Sequence, residues 1–154
     1  MNETHFEIYL RALDACVDPQ GVLGDERVVH PPTPDFGYES TPANGLTFGS
    51  MGVDGVHYVI LKLNGFVVND SPVIEVSPMD FSDVYQVLGE SFLGFLATGC
   101  AVSPTEMESV FETELSGSQT LIAFLKERFD ISRLWKQKRS QRFRDRLELI
   151  ERKA

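Results

Sequence analysis

Cysteine and histidine are scarce in this chain of 154 residues. Its two cysteines, Cys16 and Cys100, stand 84 positions apart with no CxxC or Cys/His spacing. Neither a disulfide framework nor a zinc site is expected, and a reducing cytoplasm fits that usage best. The three histidines, His5, His30 and His57, have no partner at a diagnostic spacing. No P-loop, GxSxG, HExxH or EF-hand pattern occurs. Long apolar runs are missing too. The longest, Val56 to Leu63 and Phe92 to Val102, fall short of the roughly 20 residues that a membrane-spanning helix needs. The first residues, MNETHFEIYLRALDAC, carry Glu3 and Glu7 and no basic segment before an apolar run, unlike a secretory signal.

Positive charge is absent from most of the chain. Up to residue 125 only Arg11, Arg27 and Lys62 stand against 18 acids, a net of −15. Residues 126–154 hold 11 bases against five acids, a net of +6, leaving −9 overall. Six of those bases, Lys136, Lys138, Arg139, Arg142, Arg144 and Arg146, crowd one short stretch. Such a run can neutralise phosphates in a salt-dependent way. A body of −15 would repel nucleic acid, however, so the segment is expected to pack on that body, with Leu147 and Ile150 joining the core.

What is present is a pattern of mixed helices and strands. Thr4 and Glu7 read as a capping box, and Phe6, Tyr9, Leu10, Leu13 and Val17 recur at helical spacing. Residues 18–47 are punctuated by prolines and glycines, with a short extended piece at Arg27 to His30. Leu46 to Phe48 and the β-branched run Val56 to Leu63 read as strands joined by a glycine-rich turn. Asn64-Gly65 suits a type I′ hairpin into Phe66 to Val68, and Val73 to Val76 forms the next strand. Helices are expected beyond: one from Asp80 or Ser82 to Gly99, one opening at Ser103-Pro104-Thr105-Glu106, one from Ser118, and a basic one over residues 131–154. The fold class is α+β, a central antiparallel meander packed by an N-terminal helix and several C-terminal helices, in a single domain.

Chemistry has few places to reside. Gly49, Gly52 and Gly55 space as GxxGxxG and lead into a strand instead of a helix N-terminus, which reads as a structural turn and not a phosphate cradle. Asp54, His57 and Asp80 would make a metal or acid/base site only if they converged on one pocket. Asp54-Gly55 is otherwise a turn pair, and His57 opens a strand where it can bond a backbone carbonyl. The chain is therefore expected to be non-enzymatic, without cofactor or metal.

A resemblance adds a function class. Thr41-Pro42-Ala43-Asn44-Gly45-Leu46-Thr47-Phe48-Gly49, Gly52-Val53-Asp54-Gly55-Val56-His57-Tyr58 and Pro72-Val73-Ile74-Glu75-Val76-Ser77-Pro78-Met79-Asp80 resemble the central sheet of the SUKH superfamily, over residues 36–98. The chain departs from that family's usual pattern in having no tryptophan near the sheet, its only one being Trp135. The resemblance implies an α+β domain acting as a bacterial immunity protein that neutralises a toxin, often a nuclease with a basic groove. An acidic inhibitor would be steered toward such a partner by long-range attraction. The exposed turn acids Asp54, Asp70, Asp80 and Asp83 are the expected contact residues, in the cytoplasm and without nucleic acid or membrane. Alternatives are a regulatory or scaffold domain with an endogenous partner, a small hydrolase or metal-dependent enzyme, or a nucleic-acid binder using Lys136 to Arg146.

Overall fold

The computed structural model describes residues 3–23, 27–99, 102–113, 123, 125 and 141–153. In chain order these form α1 (His5–Asp14), β1 (Arg27–Thr33), β2 (Gly45–Ser50), β3 (His57–Leu61), β4 (Val73–Val76), β5 (Tyr85–Gly89), α2 (Phe92–Gly99), α3 (Pro104–Thr113) and a 3-10 segment, Gln141–Leu149. The sheet is a five-stranded antiparallel meander in the order β1-β2-β3-β4-β5, so the fold is α+β.

Local chemistry explains the ends of the helices. The capping box forms, with the Glu7 amide donating to Thr4 Oγ1 at 3.1 Å and the Thr4 amide donating to Glu7 Oε1 at 3.2 Å. Ser91 and Ser103 cap α2 and α3 in the same way, accepting from the Gly94 and Glu106 amides at 3.0 and 3.1 Å. Asn64 and Gly65 sit at φ 53° and 87°, the left-handed pair a type I′ turn requires. That hairpin is only a bridge between Leu63 and Phe66; β3 stops at Leu61, and Phe66 to Val68 are not a strand of the sheet.

Both faces of the sheet are covered. Tyr58, Ile60 and Leu88 face a core built with Phe6, Tyr9 and Leu13 of α1, Phe92 and Phe95 of α2, and Met107 and Phe111 of α3. Its centre is aromatic: Phe92 meets Phe6 edge-on at 5.1 Å and Phe48 at 5.6 Å. Burial pushes the Tyr9 phenol pKa up. On the outer face Val59, Leu61, Ile74, Val76 and Val87 pack beneath Leu147, Leu149 and Ile150. Every residue of β3 and β4 is buried as a result, which is why those segments read as continuous β-branched runs.

One helix expected from the sequence is shorter than its pattern. The stretch beginning at Asp80 or Ser82 is a turn followed by β5, and only Phe92–Gly99 is helical. Successive turns, Ser77 to Asp80 and Asp80 to Asp83, close a hairpin through the Ser77 amide and the Val84 carbonyl at 2.8 Å. Tyr85 and Val87 then turn outward and Leu88 inward. Gly89 marks close packing between backbones: a Cβ there would lie 2.7 Å from the Phe95 nitrogen. Gly89 itself ends β5, and the backbone it meets is that of α2.

The C-terminal segment docks, with Leu147 and Ile150 on the outer cluster. Its described part is not one continuous α-helix: the 3-10 turns close with the Ile150 amide on the Leu147 carbonyl at 3.2 Å, and residues 151–153 follow without regular structure. The Leu149 carbonyl and the Glu151 backbone are bound by the segment before β2. Asn44 Nδ2 donates to the Leu149 carbonyl at 2.8 Å, Asn44 Oδ1 accepts from the Glu151 amide at 2.8 Å, and the Ala43 amide donates to the Glu151 carbonyl at 2.6 Å. Ala123 and Leu125 are helical and Leu125 is buried, in the region of the helix expected from Ser118. The rest of that helix and residues 131–140 lie outside the described residues.

Candidate functional site

In a meander alternate loops share an end of the sheet. The β2–β3 loop (51–56) and the β4–β5 loop (77–84) therefore project together. Asp54 and Asp80 line one depression of about 320 Å³ with Val56, Ser77 and Met79. Met79 also lines a second, larger groove of about 790 Å³, walled by Tyr38 to Ser40, by the loop from Pro78 to Tyr85 and by Leu147, Arg152 and Lys153. Asp83 is part of that wall. Three of the four expected acids thus meet at one end of the sheet. Asp70 does not: it is exposed on the β3–β4 connection at the opposite end.

The same end displays apolar side chains that the sequence reading missed. Val53 is 57% exposed, Met79 63% and Phe81 86%. The signal was available in Ser77-Pro78-Met79-Asp80-Phe81-Ser82-Asp83, where an apolar residue sits between turn formers with nothing to alternate with. A second exposed group, Phe66 and Val68, accompanies Asp70 at the other end.

Aromatic packing shapes the groove. His57, Phe36 and Tyr38 form a three-ring cluster, with His57 4.9 Å from Phe36 and 5.6 Å from Tyr38 between centroids. Tyr38 also closes over Gly55, at φ 71°, where a Cβ would come within 2.6 Å of its ring. The Tyr85 hydroxyl donates to the Ser40 carbonyl at 2.6 Å and fixes the groove's opposite wall. Along the tail, Arg152 lies 5.3 Å above the Tyr85 ring centroid. Lys153 Nζ donates to Asp35 Oδ1 at 2.7 Å and to the Tyr38 carbonyl at 2.6 Å. That ammonium, foremost through its hydrogen bond, holds the Asp35 carboxyl below its ordinary pKa.

His57 does not join the acids. It is fully buried, its Nδ1–H donates to the Gly55 carbonyl at 2.7 Å and its Nε2 stands 3.0 Å from Thr41 Oγ1. That geometry fixes the neutral tautomer, with the Thr41 hydroxyl donating to Nε2. Burial is the main reason its pKa falls below 6.5. Asp54 and Asp80 meet without it in their depression. Among the described residues no group of three or more His, Cys, Asp or Glu side chains is placed to hold a metal ion. No described helix is long and apolar enough to cross a membrane.

Compared with family models, curated proteins and solved structures, the chain matches none. Its function is therefore argued from the exposed end of the sheet. At that end the exposed apolar side chains Val53, Met79 and Phe81 share two loops with the carboxylates of Asp54, Asp80 and Asp83.

Proposed function

We propose that this chain is a non-enzymatic protein-binding module that docks a basic partner on the exposed end of its sheet, in the manner of an immunity protein neutralising a toxin. The observation that carries the reading is the juxtaposition of Val53, Met79 and Phe81 with Asp54, Asp80 and Asp83 on two neighbouring loops. Further support comes from the −15 carried by residues 1–125 and from the resemblance of residues 36–98 to the SUKH sheet. Exposed aromatic anchors give affinity once desolvated, while surrounding acids speed association with a positive surface. A regulatory or scaffold partner would use the same surface, and the neighbouring genes discriminate the two.

The test is co-expression and pull-down with a toxin encoded beside the gene, followed by stopped-flow association at low salt. The double charge reversal Asp54→Lys with Asp80→Lys is expected to slow association about tenfold while changing dissociation less. Asp70→Lys, at the other end of the sheet, is expected to have a much smaller effect. No neighbouring toxin, no capture, or equal slowing by the double variant and by Asp70→Lys would remove the reading.

A further inference from the structure

The groove beside Phe81 already holds cations supplied by the chain itself. Arg152 lies over the Tyr85 ring at 5.3 Å, and Lys153 caps Asp35 and the Tyr38 carbonyl at 2.7 and 2.6 Å. Aromatic faces and oxygen acceptors in this wall thus already accept basic side chains. Both tail cations are matched locally, Lys153 by a carboxylate and Arg152 by a ring face.

The β4–β5 loop brings an exposed aromatic ring to the same groove. Phe81, 86% exposed, stands at the tip of the β4–β5 loop. Its loop is tightly tied. The Asp80 amide donates to the Ser77 carbonyl at 3.0 Å, the Asp83 amide to the Asp80 carbonyl at 3.1 Å, and Ser82 Oγ to Asp80 Oδ1 at 3.0 Å. Gln86 Nε2 donates to Asp83 Oδ2 at 2.8 Å. A backbone held in this way presents the Phe81 ring from a defined loop, so less loop ordering is needed when something stacks on it. Asp83 and Glu39 line the same groove.

We propose that this groove is an arginine receptor: a basic partner inserts an arginine whose guanidinium stacks on Phe81 and pairs with the carboxylates of Asp83 and Glu39. Arginine is favoured over lysine because its planar, weakly hydrated fork can stack and hydrogen-bond at once, whereas an ammonium is a strongly hydrated point charge. It is favoured over an apolar anchor because Asp83 and Glu39 line the groove with Phe81, and such an anchor would leave their carboxylates unmatched. The inference rests on the docking reading and names the chemistry of the partner.

The probe is the peptide acetyl-Gly-Arg-Gly-amide, titrated into the full chain and followed by NMR of the Met79 methyl and the Phe81 ring. Analogues carry lysine, citrulline or norleucine in place of arginine. The arginine peptide is expected to shift both signals with a dissociation constant at least about threefold below that of the lysine peptide, the citrulline and norleucine peptides binding more weakly still. Phe81→Leu should abolish the arginine-over-lysine preference and Asp83→Asn should weaken both charged peptides. Phe81 is so exposed that its substitution leaves the core intact. No shift at Met79 or Phe81 at millimolar peptide, equal binding of lysine or norleucine, or an unchanged preference in Phe81→Leu would overturn the inference. A captured basic protein with no arginine preference leaves the docking reading standing and removes this one; failure to capture any protein removes both.

Discussion

Replacing Asn44 with alanine is the sharpest test of how the outer face is closed. The Asn44 side chain makes three hydrogen bonds: Nδ2 to the Lys62 carbonyl at 3.1 Å, Nδ2 to the Leu149 carbonyl at 2.8 Å, and Oδ1 from the Glu151 amide at 2.8 Å. The residue is only 9% exposed, so water replaces those partners incompletely. At about 1 kcal/mol net for each bond, Asn44→Ala is expected to cost about 3 kcal/mol, with about 2 as the lower end if water reaches the Glu151 amide. That amide should exchange with solvent much faster, because its partner has gone. The measurements are urea unfolding and hydrogen exchange read at Glu151. Asn44→Asp provides a contrast: it keeps the acceptor for Glu151 but sets a carboxylate against two carbonyls, so it should protect that amide while destabilising the chain. A loss under about 0.5 kcal/mol for alanine, with unchanged exchange, would refute the reasoning.

Two further predictions come from other parts of the fold. Gly89→Ala would place a Cβ within 2.7 to 2.9 Å of Phe95 main-chain atoms, and since neither β5 nor α2 can yield easily it should cost at least about 2 kcal/mol in denaturant unfolding. Gly94→Ala, whose Cβ meets only Ser91 Oγ at 3.3 Å, should stay within about 1 kcal/mol of the parent because helix propensity offsets the crowding; equal effects at the two glycines would contradict the packing described. For pH, burial lowers the His57 pKa below 6.5, so the unfolded chain takes up a proton more readily than the folded one. The stability due to neutral His57 is complete above about pH 6.5 and is lost as pH falls below it through the folded value. Burial also lowers the His5 pKa, so the share of His57 is the difference between the stability profiles of the parent and His57→Gln, and identical slopes between pH 6.5 and 5 would exclude it.

The elements most legible in the sequence are those fixed by local chemistry. Thr4 with Glu7, Asn64-Gly65 and Ser103-Pro104 each form the cap or turn their residue types favour. The meander followed from β-branched runs separated by short turns. The error at residues 80–89 came from spacing: Val84, Leu88, Phe92 and Phe95 recur at helical intervals, yet Val84 ends the β4–β5 loop, Leu88 lies on β5 and the last two lie on α2. Tertiary context decided it, since Gly89 has to touch the α2 backbone. At the candidate site, the acids were legible as turn residues. Their grouping was not, because which loops share an end depends on the number of strands, and β5 had been read as helix. Phe81 and Met79 were not legible either, because they flank the expected caps, Asp80 and Ser82, where no apolar periodicity says which way a side chain faces.

The clamp at Asn44 has a consequence for the order of folding. Strands β1 to β5 are neighbours both in sequence and in space, so each pairing closes a short loop. The bond from Asn44 to Leu149 spans 105 positions, and its closure costs more entropy than any hairpin in the sheet. The tail therefore joins last, onto a sheet whose outer face already exists. The groove that takes Leu147, Arg152 and Lys153 as one wall is completed in that final step. A nascent chain that has released β5 from the ribosome holds the acids but not the finished groove, and it acquires its full binding surface only when residues 147–153 have emerged and settled.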